Sequence, residues 1–211
     1  MTQSHERGWR RRPISGWRRL VVWAVLASPV LVQGIPLLWQ GLGPDPALTA
    51  LKTTGVWAMV ALGTVLLMTP IQRFGSWPGF TSVRRLVGLW TFFYTALHAF
   101  AYVSFDQGFD AVLIVDDAME RPMIAVGWGA TAILCWMAVT SNAYSLQALG
   151  YRLWKHLHRW VYVAAVLAWL HLYWVHSGKH LWTDVVIFGA WFGGALLLRI
   201  NGLKRPRSPT R

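Results

Sequence analysis

Seven histidines occur in this chain of 211 residues, and two of them stand where an imidazole is costly. His98 lies in the run Thr95-Ala96-Leu97-His98-Ala99-Phe100, and His171 in Ala168-Trp169-Leu170-His171-Leu172-Tyr173. Ionisable side chains inside apolar spans are expensive, face the bundle interior and are functional candidates by default. The alternative for each is an interhelical hydrogen bond from a neutral ring. His98 is 12 residues beyond Leu86, where its apolar run opens, and His171 is 14 residues beyond Leu157. At about 1.5 Å of rise per residue, the two depths agree within roughly one helical turn. Two facing imidazoles at one depth can clamp a haem iron axially, and helix bundles build cofactor sites from ligands on facing helices. Other metal chemistry is poorly served. Apart from Asp184 at the outer edge of the last, no carboxylate lies inside the apolar runs, a zinc site wants three or four ligands, and proton relays use chains of Asp or Glu.

His158 precedes His171 by 13 residues, about 20 Å along a helix and off its face. At the depth of His158 the third run offers Arg84 and Arg85 rather than a histidine, so a second bis-histidine site between these runs is not supported. His158 can ligate a cofactor with a different partner, anchor a flavin or quinone, or face lipid headgroups. The arginines can hold anionic groups such as flavin phosphate or haem propionates, and basic loops bind anionic lipid equally well. His5 falls in a tail, and His176 and His180 in an outer connection; all three read as solvated. His156, between Lys155 and Arg159, reads as interfacial. The single cysteine, Cys135, excludes an intrachain disulfide or a Cys-rich cluster and reads as a small buried hydrophobe.

The elements that must position these residues are membrane spans. Hydrophobic residues make up 55% of the chain and charged ones only 13%, too little polar surface for a soluble domain of this size. Fifteen tryptophans fit a membrane protein, whose interfaces collect such rings. A span needs about 20 apolar residues. Six segments qualify: Leu20–Gln40, Thr53–Thr69 (closed by Pro70), Leu86–Ser104, Pro122–Thr140, Leu157–Val175 and Thr183–Arg199. The first is too long for a signal-peptide core and reads as retained. The expected fold is an all-α membrane protein, a six-helix transmembrane bundle over 20–199 flanked by basic tails at 1–19 and 200–211. The net charge of +12 lies in short clusters between apolar runs, which argues for membrane topology and not for nucleic acid.

Seventeen of the 20 basic residues fall in the tails, the Ile71–Arg85 and Ser141–His156 connections and the adjoining span ends. By the positive-inside rule both termini are cytoplasmic. Seven of the eight acids (Asp45, Asp106, Asp110, Asp116, Asp117, Glu120 and Asp184) fall on the opposite face, where they can form an acidic docking rim for an external partner. Gly189, Gly193 and Gly194 offer a small-residue face for close packing, more often within a chain than between chains.

Several stretches carry a family resemblance: Gly41-Leu42-Gly43-Pro44-Asp45-Pro46, Thr69-Pro70, Val83-Arg84-Arg85-Leu86-Val87-Gly88-Leu89-Trp90 leading to His98, Arg121-Pro122, and Leu157-His158-Arg159-Trp160-Val161-Tyr162 leading to His171. Over roughly residues 20–200 the chain resembles the MsrQ (YedZ) family of the ferric-reductase-like transmembrane superfamily. The resemblance implies a b-type haem, an FMN, and an electron-transfer role in the bacterial inner membrane. It implies electrons drawn from the quinone pool or a cytoplasmic flavin reductase and delivered to a periplasmic molybdenum-containing subunit, MsrP, which reduces methionine sulfoxide. The family's histidines carry over onto His98, His158 and His171; Arg84-Arg85 stands where a fourth would fall. A passive anchor with structural histidines is the competing reading. A transporter is disfavoured by the lack of intramembrane acids and of paired broken helices.

Overall fold

The computed structural model describes residues 16–40, 45–72, 80–177 and 182–204. Most of both basic tails, His5, His180, residues 41–44 of the glycine-proline motif and residues 73–79 of the Ile71–Arg85 connection lie outside the described residues. Every element among the described residues is helical: α1 Gly16–Gln40, α2 Pro46–Ile71, α3 Phe80–Ala101, α4 Ala111–Glu120, α5 Pro122–Val139, α6 Ala143–Leu157, α7 Val161–Ser177 and α8 Trp182–Lys204. A π-helical turn over Tyr102–Asp106 ends α3, and a 3-10 turn over His158–Trp160 precedes α7.

Four of these helices are long and apolar enough to cross a membrane: Pro46–Ile71, Ser82–Asp106, Pro122–Val139 and Trp182–Ile200. The other two expected spans correspond to α1 and α7. The latter has 17 residues because the 3-10 turn sets His158 apart from it. The outward surfaces of α1 and α8 are apolar, with Leu20, Val25 and Val32 on one and Val186 and Leu197 on the other all exposed. Water would not favour such surfaces, whereas hydrocarbon does.

Antiparallel α2 and α3 pack most extensively, as do α5 and α7; α8 closes against α2 and α7, while α3 meets α5. The central layer joins Met59, Leu62 and Leu66 of α2, Leu134 of α5, Ala164 and Ala165 of α7, and Phe188 and Phe192 of α8. Small residues set the approach: Ala164 is fully buried. A Cβ on Gly189 would come within 2.8 Å of the Trp169 indole nitrogen, which donates to the Val185 carbonyl at 3.0 Å. The small-residue face therefore works inside the chain at Gly189, while Gly193 and Gly194 have open space around them. On the other flank the Tyr94 hydroxyl donates to the Leu26 carbonyl of α1 at 2.6 Å.

Two stretches taken as connections are helices. Asp110 caps α4, its carboxylate accepting from the Val112 amide at 2.8 Å. Asn142 caps α6 by accepting from the Ser145 amide at 2.7 Å. α6 bends at Gly150, whose φ of 70° suits a residue without Cβ. Its Arg152, Lys155 and His156 are exposed, as on a helix lying along a membrane surface. Cys135 is half-buried, less enclosed than expected.

Candidate functional site

His98 and His171 meet. Their ring centroids are 6.0 Å apart, with the ring planes inclined at 85°. His98 reaches from α3 to α2, where its Nδ1 lies 3.0 Å from the Leu51 carbonyl. His171 reaches from α7 to α5, where its Nδ1 lies 2.7 Å from the Met123 carbonyl. A carbonyl oxygen only accepts, so each Nδ1 carries the hydrogen, and each neutral ring keeps its Nε2 lone pair free.

The two anchorages follow one plan. Gly55 stands four residues after Leu51, and Gly127 four residues after Met123. In an α-helix the residue four positions on stands over a carbonyl, and its side chain would shield it. A Cβ at Gly55 would lie 3.1 Å from Cε1 of His98, and one at Gly127 would lie 3.0 Å from Nδ1 of His171. Each glycine thus clears the space through which an imidazole of the neighbouring helix reaches the carbonyl. Sequence reasoning identified the histidines and missed the glycines, whose only signal was their place inside apolar runs.

His158 is elsewhere. Its ring stacks on Trp154 at 3.9 Å, and its Nδ1 uses the Trp154 carbonyl one turn back, at 3.0 Å. Trp154 is itself fixed by donating to the Thr140 carbonyl at the end of α5, at 2.9 Å. His158 Nε2 is buried and lacks a hydrogen-bond partner, a costly state for a polar atom that calls for explanation. Arg84, half-buried, lies within electrostatic range of His158, while Arg85 is exposed. The structure therefore places Arg84 within electrostatic range of His158, while the partner of His158, Trp154 by stacking and by its carbonyl, is separate from those of the His98–His171 pair.

Among the described residues no three His, Cys, Asp or Glu side chains gather into a metal site. The donor set between α3 and α7 is two imidazoles. Metal–imidazole bonds of about 2 Å on both sides, added to the two ring radii, span about 6 Å, close to the separation found. A metal held there must bring its remaining ligands with it, as the iron of a haem does. The residues fit that group.

At the α4 end of the bundle, Asp117 turns inward and leaves the expected acidic rim. Its carboxylate accepts from the Tyr102 hydroxyl at 2.5 Å and from Gln107 Nε2 at 3.0 Å, and pairs with the Arg121 guanidinium. Burial pushes this carboxyl up, but hydrogen bonds from Arg121 and Tyr102 outweigh it and hold it below the usual carboxylate value. The same pairing pushes Arg121 up. His176, expected to be solvated, is largely enclosed, with Nε2 3.6 Å from the Asp184 carboxylate. Asp106, Asp110, Asp116 and Glu120 remain exposed on this face.

The fold and site define a helical membrane bundle with a pair of facing imidazoles between α3 and α7, each oriented by a carbonyl of the neighbouring helix. The family model described as ferric reductase like transmembrane component matches residues 54–169, a stretch that contains His98 and ends two residues before His171. Three relatives from Ralstonia nicotianae, Herminiimonas arsenicoxydans and Bordetella pertussis, each called protein-methionine-sulfoxide reductase heme-binding subunit MsrQ, are 35%, 37% and 35% identical to this chain. The alignments cover 86%, 81% and 82% of this chain and 84%, 78% and 83% of the relatives. The chain belongs to the MsrQ family within the ferric-reductase-like transmembrane proteins.

Proposed function

We propose that the chain is a multi-pass haem protein of the bacterial inner membrane that passes electrons outward to a methionine sulfoxide reductase partner. The observation that carries this reading is the His98–His171 pair, each Nε2 left free by an Nδ1–H bond to a carbonyl of the neighbouring helix. Its relatives' description as haem-binding subunits of such a system supports it.

In this reading His98 and His171 would hold a b-type haem through their Nε2 atoms, and the haem would supply a one-electron carrier when bound. The Leu51 and Met123 carbonyls fix the tautomer and rotation of each ring and raise the basicity of its Nε2. α1 and α7 complete six spans, with both termini cytoplasmic, so the pair lies toward the outer face. The exposed acids Asp106, Asp110, Asp116 and Glu120 then form a rim for the periplasmic molybdenum subunit MsrP, where sulfoxide reduction takes place. Electrons enter at the opposite face, from quinol or a cytoplasmic flavin reductase. His158, Arg84 and Arg85 hold a second redox group there, a haem or the FMN, and the unpartnered Nε2 of His158 supports a ligand at that point.

The test is a reduced-minus-oxidised spectrum of the full chain purified from iron-supplied cells. Low-spin haem bands that disappear in His98→Ala and in His171→Ala support the reading. A chain without haem bands would be a passive anchor with structural histidines.

A further inference from the structure

Sequence reading assigned Asp117 only to an acidic rim, yet the structure spends this carboxylate inside the fold. Asp117 is 9% exposed, as are its neighbours Gln107 at 9% and Tyr102 at 8%. Tyr102 stands four residues, about one turn, beyond His98 on the same helical path. Its hydroxyl donates to Asp117 at 2.5 Å, and its ring packs edge-on against Trp128 of α5, the neighbour of Gly127. On the other side Arg121 is bound to Asp117 twice over, through the side chains and through its amide, which donates to the Asp117 carbonyl at 2.9 Å. Arg121 stands two residues before Met123, whose carbonyl receives the Nδ1–H of His171.

A closed circuit follows: His98, Tyr102, Asp117, Arg121, Met123, His171. The backbone departs from regular helix where this circuit needs it. The π-turn, with the Gln107 amide bonded to the Tyr102 carbonyl at 3.3 Å, widens the end of α3. Gly108 and Phe109 then both take positive φ, 56° and 63°, and turn the chain back over the bundle. A non-glycine residue there is strained, and π-turns recur at functional sites. Local energy is spent to bring α4, and with it Asp117, over the junction of α3 and α5.

We propose that Asp117 is a positioning residue: by tying Tyr102 to Arg121 it fixes the gap between the His98 and His171 rings. It touches neither imidazole. The proposal rests on the haem reading for its spectroscopic consequence, while its mechanical content stands without the cofactor. Loss of the carboxylate frees the α3 end from the α5 start: the buried Tyr102 hydroxyl loses its acceptor, a costly state for an enclosed polar group, and the half-exposed Arg121 guanidinium is released to solvent. The two rings then sample a range of separations.

The test uses the full chain in two arms. In the haem-loaded protein, Asp117→Ala is compared with wild type by electron paramagnetic resonance and redox titration. Tyr102→Phe, which removes one bond and keeps the fold, serves as the milder second variant. Expected are retained haem, a broadened spread of low-spin signals and a shifted midpoint potential, larger in Asp117→Ala than in Tyr102→Phe. In cofactor-free protein, nitroxides at Phe105→Cys and Ala125→Cys in a Cys135→Ser background report the distance between the α3 end and the α5 start, and Asp117→Ala should broaden it. An unchanged spectrum and potential, or an unchanged distance distribution, overturns the proposal. Should wild type show no low-spin haem dependent on His98 and His171, the haem reading fails by itself and the distance arm alone decides the role of Asp117.

Discussion

A Cβ added at Gly127 would stand 3.0 Å from Nδ1 of His171, in the space the imidazole uses to reach the Met123 carbonyl. Gly127→Ala therefore requires the ring to give by a few tenths of an ångström, and Gly127→Leu requires it to leave. Gly127→Leu should lose most of the bound haem while still inserting in the membrane, and Gly127→Ala should keep haem at a shifted midpoint potential. Haem-to-protein ratios and redox titration of the purified variants read both effects. Full haem in Gly127→Leu would show that His171 is not held against α5. Gly55→Leu should behave alike through His98.

The opposite end has its own prediction. The Trp154 ring stacks on His158 and is itself pinned to the Thr140 carbonyl, so Trp154→Ala removes the support that orients His158 and should act in the same direction as His158→Ala. Each should leave the His98–His171 haem signal intact and slow its reduction from the cytoplasmic side by about tenfold, equivalent to about 1.4 kcal/mol of barrier. Stopped-flow reduction in vesicles measures this. Wild-type rates in both variants would make His158 a structural residue.

What could be read before the structure follows from what each signal depends on. His98 and His171 were legible as a pair because an ionisable ring in an apolar run is costly wherever it lies, and because counting along two parallel helices places both at one depth. The four helices long and apolar enough to cross a membrane were legible for the same reason, since the cost of polar groups in lipid acts on every residue of the run. α4 and α6 were not, because neither is apolar throughout and the caps that start them, Asp110 and Asn142, are single residues common in any turn. The glycines at 55 and 127 acquire meaning only once the neighbouring helix is known. Asp117 looked like one more acid of the outer face, since its partner Tyr102 sits 15 residues away across two changes of backbone direction.

The Asp117 latch predicts a flat pH response in the neutral range. Burial raises this carboxyl, and the Arg121 and Tyr102 hydrogen bonds lower it further, so its folded value lies below the ordinary 3.8. A depressed carboxylate contributes its full stabilisation above its unfolded pKa and loses it as pH falls through the folded value. Tyr102, Gln107, Arg121 and Asp106 are the polar groups facing it. Thermal unfolding in detergent should lose an Asp117-dependent component only below about pH 4. A wild-type minus Asp117→Asn difference that titrates at neutral pH would contradict the assignment.

The central layer should be intolerant of volume change. Leu62 is 2% exposed and faces the fully buried Ala164 layer. Leu62→Ala should cost about 2–5 kcal/mol by leaving a cavity, and Ala164→Leu about 1–3 kcal/mol by overpacking. Reversible unfolding in mixed micelles reads both. Changes under 0.5 kcal/mol, on the order of surface substitutions, would mean that α2, α7 and α8 do not share this core.

The central claim is that His98 and His171 together hold one haem iron. Low-temperature electron paramagnetic resonance of the oxidised, purified full chain tests it most directly. Ring planes inclined at 85° leave the iron d orbitals of π symmetry nearly degenerate, so the account predicts a highly anisotropic low-spin signal, abolished in His98→Ala and in His171→Ala and retained in His158→Ala. Retention of that signal in His171→Ala together with its loss in His158→Ala would contradict the account and make His158 the partner of His98.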